Sequence, residues 1–241
     1  MIACLRNTGL ILVSLLCPIL IHGQQQELTG IGSDPNHRLG SIPTFFNKEH
    51  VKGSPYLTDG WLRGNAELAD GRQLPEPGKV GYFNFDKMTG RLYRTDGISK
   101  IWNYPSDSVR SFTLGDSNAV LSFVKDALIS RTHFLQVMVR SEKGYTVYRE
   151  WITKLIRSEF RDAGYYTTGQ RFDEYVDVFN YYIVYPGHRK CRRLDLKVRA
   201  IYKALPGERS RLDSFFSEKS GSVDLNTFVL LMQYINEKRN D

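Results

Sequence analysis

Residues 80–104 read VGYFNFDKMTGRLYRTDGISKIWNY. Val80 to Phe85, Arg91 to Thr95 and Ser99 to Tyr104 are short runs rich in aromatic and β-branched side chains, which fit a pleated, half-buried surface. Thr89-Gly90 and Asp96-Gly97 separate them, and Asp-Gly tolerates the positive φ angles of tight hairpins. The stretch therefore predicts consecutive antiparallel strands.

The same texture extends in both directions. Upstream, Trp61 to Leu68 precedes Asp70-Gly71. Downstream, Ser111 to Leu114 and Val120 to Val124 flank Gly115-Asp116-Ser117-Asn118, and His133 to Arg140 and Tyr145 to Ile152 flank Ser141-Glu142-Lys143-Gly144. Tyr175 to Tyr185 (YVDVFNYYIVY) is too aromatic for an exposed helix and predicts a largely buried strand or pair. After Pro186 the period lengthens: Leu194, Val198, Ile201 and Leu205 lie on one helical face, with Asp195 four residues before Arg199 as a helical ion pair. Alternation at Leu194, Leu196, Val198 and Ala200 also fits a strand. Leu212, Phe215 and Phe216 suggest a short helix. Asp224 is placed to cap a last one that turns Leu225, Phe228, Val229, Met232 and Ile235 inward. The expected fold class is α+β: an antiparallel β-meander sheet over 53–185, then a short helical C-terminal segment, 186–241, packed on it.

The beginning of the chain has a different character. Arg6, the apolar run Leu10 to Ile21 and the small Gly23 before Gln24-Gln25-Gln26 have the order of a cleavable signal peptide spanning 1–23. The run is shorter than the ~20 apolar residues of a spanning helix and contains Pro18, so no membrane span is expected in the mature chain. Export to the periplasm or cell surface is the expectation. N-terminal sequencing of exported material is expected to start at or near Gln24; a start at Met1 would refute the signal. Residues 24–52 look like an extended arm, with Phe45-Phe46 docked on the domain. Loss of Cys4 and Cys17 leaves Cys191 as the single thiol, so the fold has to stand on its core without an intramolecular disulfide.

The formal charge is +7. Between Pro186 and Arg211, nine basic residues (Arg189, Lys190, Arg192, Arg193, Lys197, Arg199, Lys203, Arg209, Arg211) face only Asp195 and Glu208. The charge is thus local, and an electrostatic partner is expected there. His188, Arg189, Lys190, Arg192 and Arg193 are the candidate anion-binding residues, because guanidinium groups bind phosphate bidentately. For an exported protein the expected partner is an anionic envelope component, a lipid head group or acidic glycan, or an envelope protein, with no specific nucleic acid.

Gly53-Ser54-Pro55-Tyr56-Leu57, then Gly60-Trp61 and Asp70-Gly71, resemble the opening of a group of uncharacterised exported bacterial proteins. Those end in a helical tail similar to Leu212 to Asn236. The resemblance implies a fold and an exported address for most of residues 50–238, and no activity.

Gly115-Asp116-Ser117-Asn118-Ala119 departs by one residue from a Gly-x-Ser-x-Gly nucleophile elbow. A serine hydrolase using Ser117 is the alternative reading, with His133 or His188 as base. Hairpin composition and a meander context favour an ordinary turn. Ser220-Gly221-Ser222-Val223 has the middle of a calcium loop, but alignment puts Phe216 and Thr227 where carboxylates belong. His37, His50, His133 and His188 are scattered, and Cys191 has only His188 nearby, so no metal centre is expected. Nor is any cofactor. The reading is a non-catalytic envelope protein that binds or braces another component.

Overall fold

The computed structural model describes residues 51–115, 119–159, 161–162, 167–168, 172–216 and 221–240. The strands are β1 (Val51–Lys52), β2 (Leu62–Leu68), β3 (Gln73–Leu74), β4 (Gly81–Asp86), β5 (Arg91–Thr95), β6 (Ile101–Tyr104) and β7 (Val109–Gly115). They continue with β8 (Val120–Asp126), β9 (Ser130–Val139), β10 (Thr146–Ile156), β11 (Arg161–Asp162), β12 (Thr167–Thr168), β13 (Asp173–Val184) and β14 (Cys191–Leu194). Helices α1 (Val198–Ala204), α2 (Arg209–Phe216) and α3 (Leu225–Asn240) follow. The chain is α+β, as its sequence predicts.

Among the described residues, one sheet contains every strand except the antiparallel pair β11 and β12. Its order is β1-β13-β10-β9-β8-β7-β2-β4-β5-β6, with β14 added to β13 and β3 to β2. The meander is therefore two runs rather than one. β2, β4, β5 and β6 follow one another, and the chain then returns to lay β7 against the far edge of β2, pairing Asn65 with Thr113. From β7 the second run proceeds through β8, β9 and β10 to β13.

A short segment reaches two strands far apart in this order. β1 runs parallel to the start of β13, pairing Val51 with Asp173. A few residues later, Leu57 N–H donates to Phe85 O (2.8 Å) and Lys87 N–H to Pro55 O (2.9 Å), bridging Tyr56 to Asp86 at the end of β4. β4 and β13 have five strands between them in the sheet order, so one segment reaching both requires the sheet to curl. Gly53 makes the turn possible: its φ is +72°, and a Cβ there would lie 2.7 Å from Tyr175 O. Side chains seal the closure. Lys87, its side chain 5% exposed, pairs with Asp177 at 2.7 Å, and its ammonium lies 5.3 Å from the Trp151 ring centre.

The register assigns the faces. Phe112 pairs with Phe123, Phe123 with Gln136, Gln136 with Arg149 and Arg149 with Tyr181, so all point to one side. Inside the curl this face holds Phe83, Phe85, Phe112, Phe123 and Phe134. Further along it, Val147 and Ile183 meet Ile201, Leu205, Leu212, Phe228 and Ile235 of the helical segment. Between the two cores Gln136 Oε1 accepts from Arg149 Nε (2.9 Å) and Trp151 Nε1 (2.9 Å). The reverse face carries a smaller cluster around Leu135, Tyr148 and Val184.

Polar bonds dock the helices. Tyr145 N–H donates to Asn236 Oδ1 (2.7 Å) and Asn236 Nδ2 to Tyr145 O (2.8 Å). Any side chain on Gly144 would collide with that Asn236 oxygen. Buried Glu208 accepts from Tyr145 OH (3.1 Å), Arg239 (3.1 Å) and Arg211. The predicted cap holds: Thr227 N–H donates to Asp224 Oδ1 at 2.9 Å.

Several local expectations change. The strand signal at Leu194 wins at its start, since β14 pairs Tyr181 with Leu194 and Val184 with Cys191. The sheet thus continues past Tyr185, and α1 begins only at Val198. Asp195 lies outside α1, and no Asp195–Arg199 ion pair occurs among the described residues. β13 is also less buried than its composition suggests: Val178 is 43% and Phe179 36% exposed. Its outer edge pairs with β1 only at Asp173 and Glu174 and with β14 only from Tyr181. The expected signal peptide, 1–23, and all of the expected arm before Val51 lie outside the described residues. No helix among the described residues is long and apolar enough to cross a membrane.

Candidate anion-binding surface

The five basic-run residues do not form one cluster. Gly187 (φ +81°) and His188 (φ +54°) make the turn between β13 and β14. His188 Nε2 lies 2.8 Å from Asp126 Oδ2. Cys191 Sγ donates to Leu128 O at 3.2 Å, so the turn is tied at two points to the β8–β9 hairpin. Lys190 sits over the Tyr185 ring at 5.5 Å. Strand alternation then separates the two arginines of β14. Arg192 faces the helices and donates from Nη1 to Lys203 O (2.8 Å). Arg193, exposed, pairs with Tyr182 on the β13 ladder. Arg189 is exposed at the turn.

The bond from Arg192 to Lys203 leads to a site that the charge count included but did not single out. Arg199, Tyr202 and Lys203 lie at helical spacings of three and four on α1. Their face is opposite the buried Ile201, Ala204 and Leu205. Pro206 turns the chain, and Arg209 opens α2. Together with Val198, these residues line an open groove of about 540 Å3. Arg199, Lys203 and Arg209 are exposed, and none makes an ion pair among the described residues. Tyr202 OH donates to Asp213 Oδ1 at 2.7 Å. That bond raises the Tyr202 hydroxyl above its ordinary range, keeping it neutral and fixing the ring as a wall. The Phe216 ring stands 6.3 Å away from it.

The loop before α3 also has a plain structural use. Val198 N–H donates to Gly221 O (3.0 Å) and Val223 N–H to Leu196 O (2.9 Å). It thereby secures the start of α1. Among the described residues no group of three or more His, Cys, Asp or Glu side chains is arranged to hold a metal ion.

Two histidine–carboxylate pairs lie on the reverse face of the sheet. Besides His188–Asp126, His133 Nδ1 is 3.0 Å from Glu150 Oε1. Glu150 Oε2 accepts from Asn180 Nδ2 and Tyr182 OH, both at 2.9 Å. Burial alone would raise the Glu150 carboxyl, but the bonds from Asn180, His133 and Tyr182 outweigh it and hold the group below the ordinary glutamate range. Ser117, the nucleophile of the hydrolase reading, lies outside the described residues. Both histidines belong to elements at the Asp126 end of β8, away from Gly115 and Val120.

Comparison of the chain with family models, curated proteins and solved structures finds no match.

Proposed function

We propose that this is an exported, non-catalytic protein of the cell envelope that binds an anionic component through its helical end. One observation carries the reading: Arg199, Lys203 and Arg209 converge on a single open groove, and the carboxylate beside it, Asp213, accepts from Tyr202 and pairs with none of the three among the described residues. Three cations held together repel one another, and an anion relieves that repulsion. Arg189 and Lys190 extend the positive surface at the neighbouring β13–β14 turn. Arg192 supports the groove by bonding the backbone of Lys203.

Binding through exposed charge weakens with salt, because the screening length falls from ~10 Å at 0.1 M to ~3 Å at 1 M. The triple variant Arg199→Ser, Lys203→Ser, Arg209→Ser is expected to bind anionic phospholipid vesicles and polygalacturonate at least tenfold more weakly than the parent at low salt. Its salt dependence should flatten as well, with the far-UV spectrum unchanged. Binding to either material that survives both 1 M salt and the triple change would refute the electrostatic role.

A further inference from the structure

We infer that the α1–α2 groove recognises a phosphate monoester carried on a sugar-sized group, an inference that rests on the anion-binding role proposed above. The charge arrangement points to phosphate. Two guanidinium groups and one ammonium surround the groove, and with the Asp213 carboxylate held on Tyr202 they leave two positive charges, more than a single carboxylate ligand balances. A phosphate monoester carries close to two negative charges at neutral pH. Arginine's planar fork also matches two phosphate oxygens at once, while lysine acts as a point charge. Arg199 and Arg209 thus grip the phosphate, and Lys203 neutralises what remains.

The rest of the lining indicates what the phosphate is attached to. A groove of about 540 Å3 falls within the range of small-molecule sites, roughly 300–1,000 Å3, and leaves ample room beyond one phosphate ion. Val198, Pro206 and the Tyr202 ring provide the non-basic lining. Tyr202 is held from one side by Asp213 and from another by Phe216, so its ring is fixed before any ligand arrives. A fixed aromatic ring beside a cationic grip suits the C–H face of a sugar, with the phosphate reaching the arginines.

The test is calorimetric titration of the full exported chain with glucosamine 1-phosphate, inorganic phosphate, glucuronate and polygalacturonate at low salt. Glucosamine 1-phosphate is expected to bind at least tenfold more tightly than glucuronate or inorganic phosphate. Arg209→Ser should remove most of that binding. Tyr202→Leu should keep the binding of inorganic phosphate and abolish the preference for the sugar phosphate. Near-UV spectra of both variants matching the parent in shape outside the tyrosine band would show that the helices remain docked. Equal binding of glucuronate and glucosamine 1-phosphate would overturn the phosphate assignment. Equal binding of inorganic phosphate and the sugar phosphate would overturn the role of Tyr202. Binding of polygalacturonate without any phosphate binding would overturn this inference and leave the anion-binding role standing. Binding of none of the four would overturn this inference, and the vesicle assay above would then decide the anion-binding role.

Discussion

Phe112→Ala is expected to lower the unfolding free energy by about 3–5 kcal/mol, the usual cost of emptying a buried aromatic site. Phe112 is 2% exposed and touches three other rings. It stacks on Phe123 at 4.7 Å between centroids, meets Phe134 edge-on at 4.9 Å and lies 5.0 Å from Phe85. These rings come from β4, β7, β8 and β9, which the curl of the sheet brings together. Collapse of the cavity would have to pull the sheet inward at β7, where β2 and β8 hold the backbone from both sides. Relaxation is therefore limited, and the cost should sit near the upper end. Chemical denaturation followed by tryptophan fluorescence measures it. A loss under 1 kcal/mol would mean that the aromatic cluster does not support the curl.

The physical basis of these contacts explains which parts of the structure are legible in the sequence. Hairpins are local events, and Asp96-Gly97 or Ser141 to Gly144 announce them within a few residues. The same holds for Asp224, whose capping bonds reach only to Thr227. The return of β7 to β2 and the closure through Val51 to Leu57 depend on pairings between residues far apart in the chain, and no local pattern encodes them. Composition misled at β13, because its aromatic run suggests burial while its exposure follows from which neighbours it lacks.

The candidate site was half legible. The charge arithmetic located the positive surface in 186–211, but its densest cluster, His188 to Arg193, is largely turned to structural use. His188 pairs with Asp126, Lys190 covers Tyr185 and Arg192 supports α1. Whether a given arginine faces water depends on where strand β14 ends and α1 begins. Leu194 to Ala200 satisfies both periods, so the sequence leaves that boundary open. The usable signal was the spacing of Arg199, Tyr202, Lys203 and Pro206, opposite Ile201 and Leu205. Glu150 was missed because a glutamate in an alternating strand reads as solvent-facing. Its burial depends on His133, Asn180 and Tyr182 arriving from β9 and β13.

Glu150→Gln is expected to cost about 2–3 kcal/mol despite its near-identical shape, because a buried acceptor becomes partly a donor. The side chain is 9% exposed, and both carboxylate oxygens are engaged by His133, Asn180 and Tyr182. An amide can keep its oxygen on Asn180 and Tyr182, but its NH2 group then faces His133 Nδ1, which has to turn from donor to acceptor, and the charge-assisted strength of the carboxylate's bonds is lost. The same site predicts a pH effect whose sign is fixed. The folded carboxyl lies below its ordinary value: burial opposes this shift, and the Asn180, His133 and Tyr182 bonds drive it. The unfolded chain therefore binds a proton there at a higher pH than the folded one does. The stabilisation is fully present above the ordinary glutamate value of about 4.3 and is lost as the pH falls through the folded value. Urea denaturation at pH 7 and at successive steps below pH 4.5 tests both parts. The parent should lose stability more steeply than Glu150→Gln across the acidic steps, so that the difference between them narrows as the carboxylate is protonated. A difference that stays constant down to pH 2 would show that the charge of Glu150 contributes nothing. The cost of the substitution would then come from packing alone.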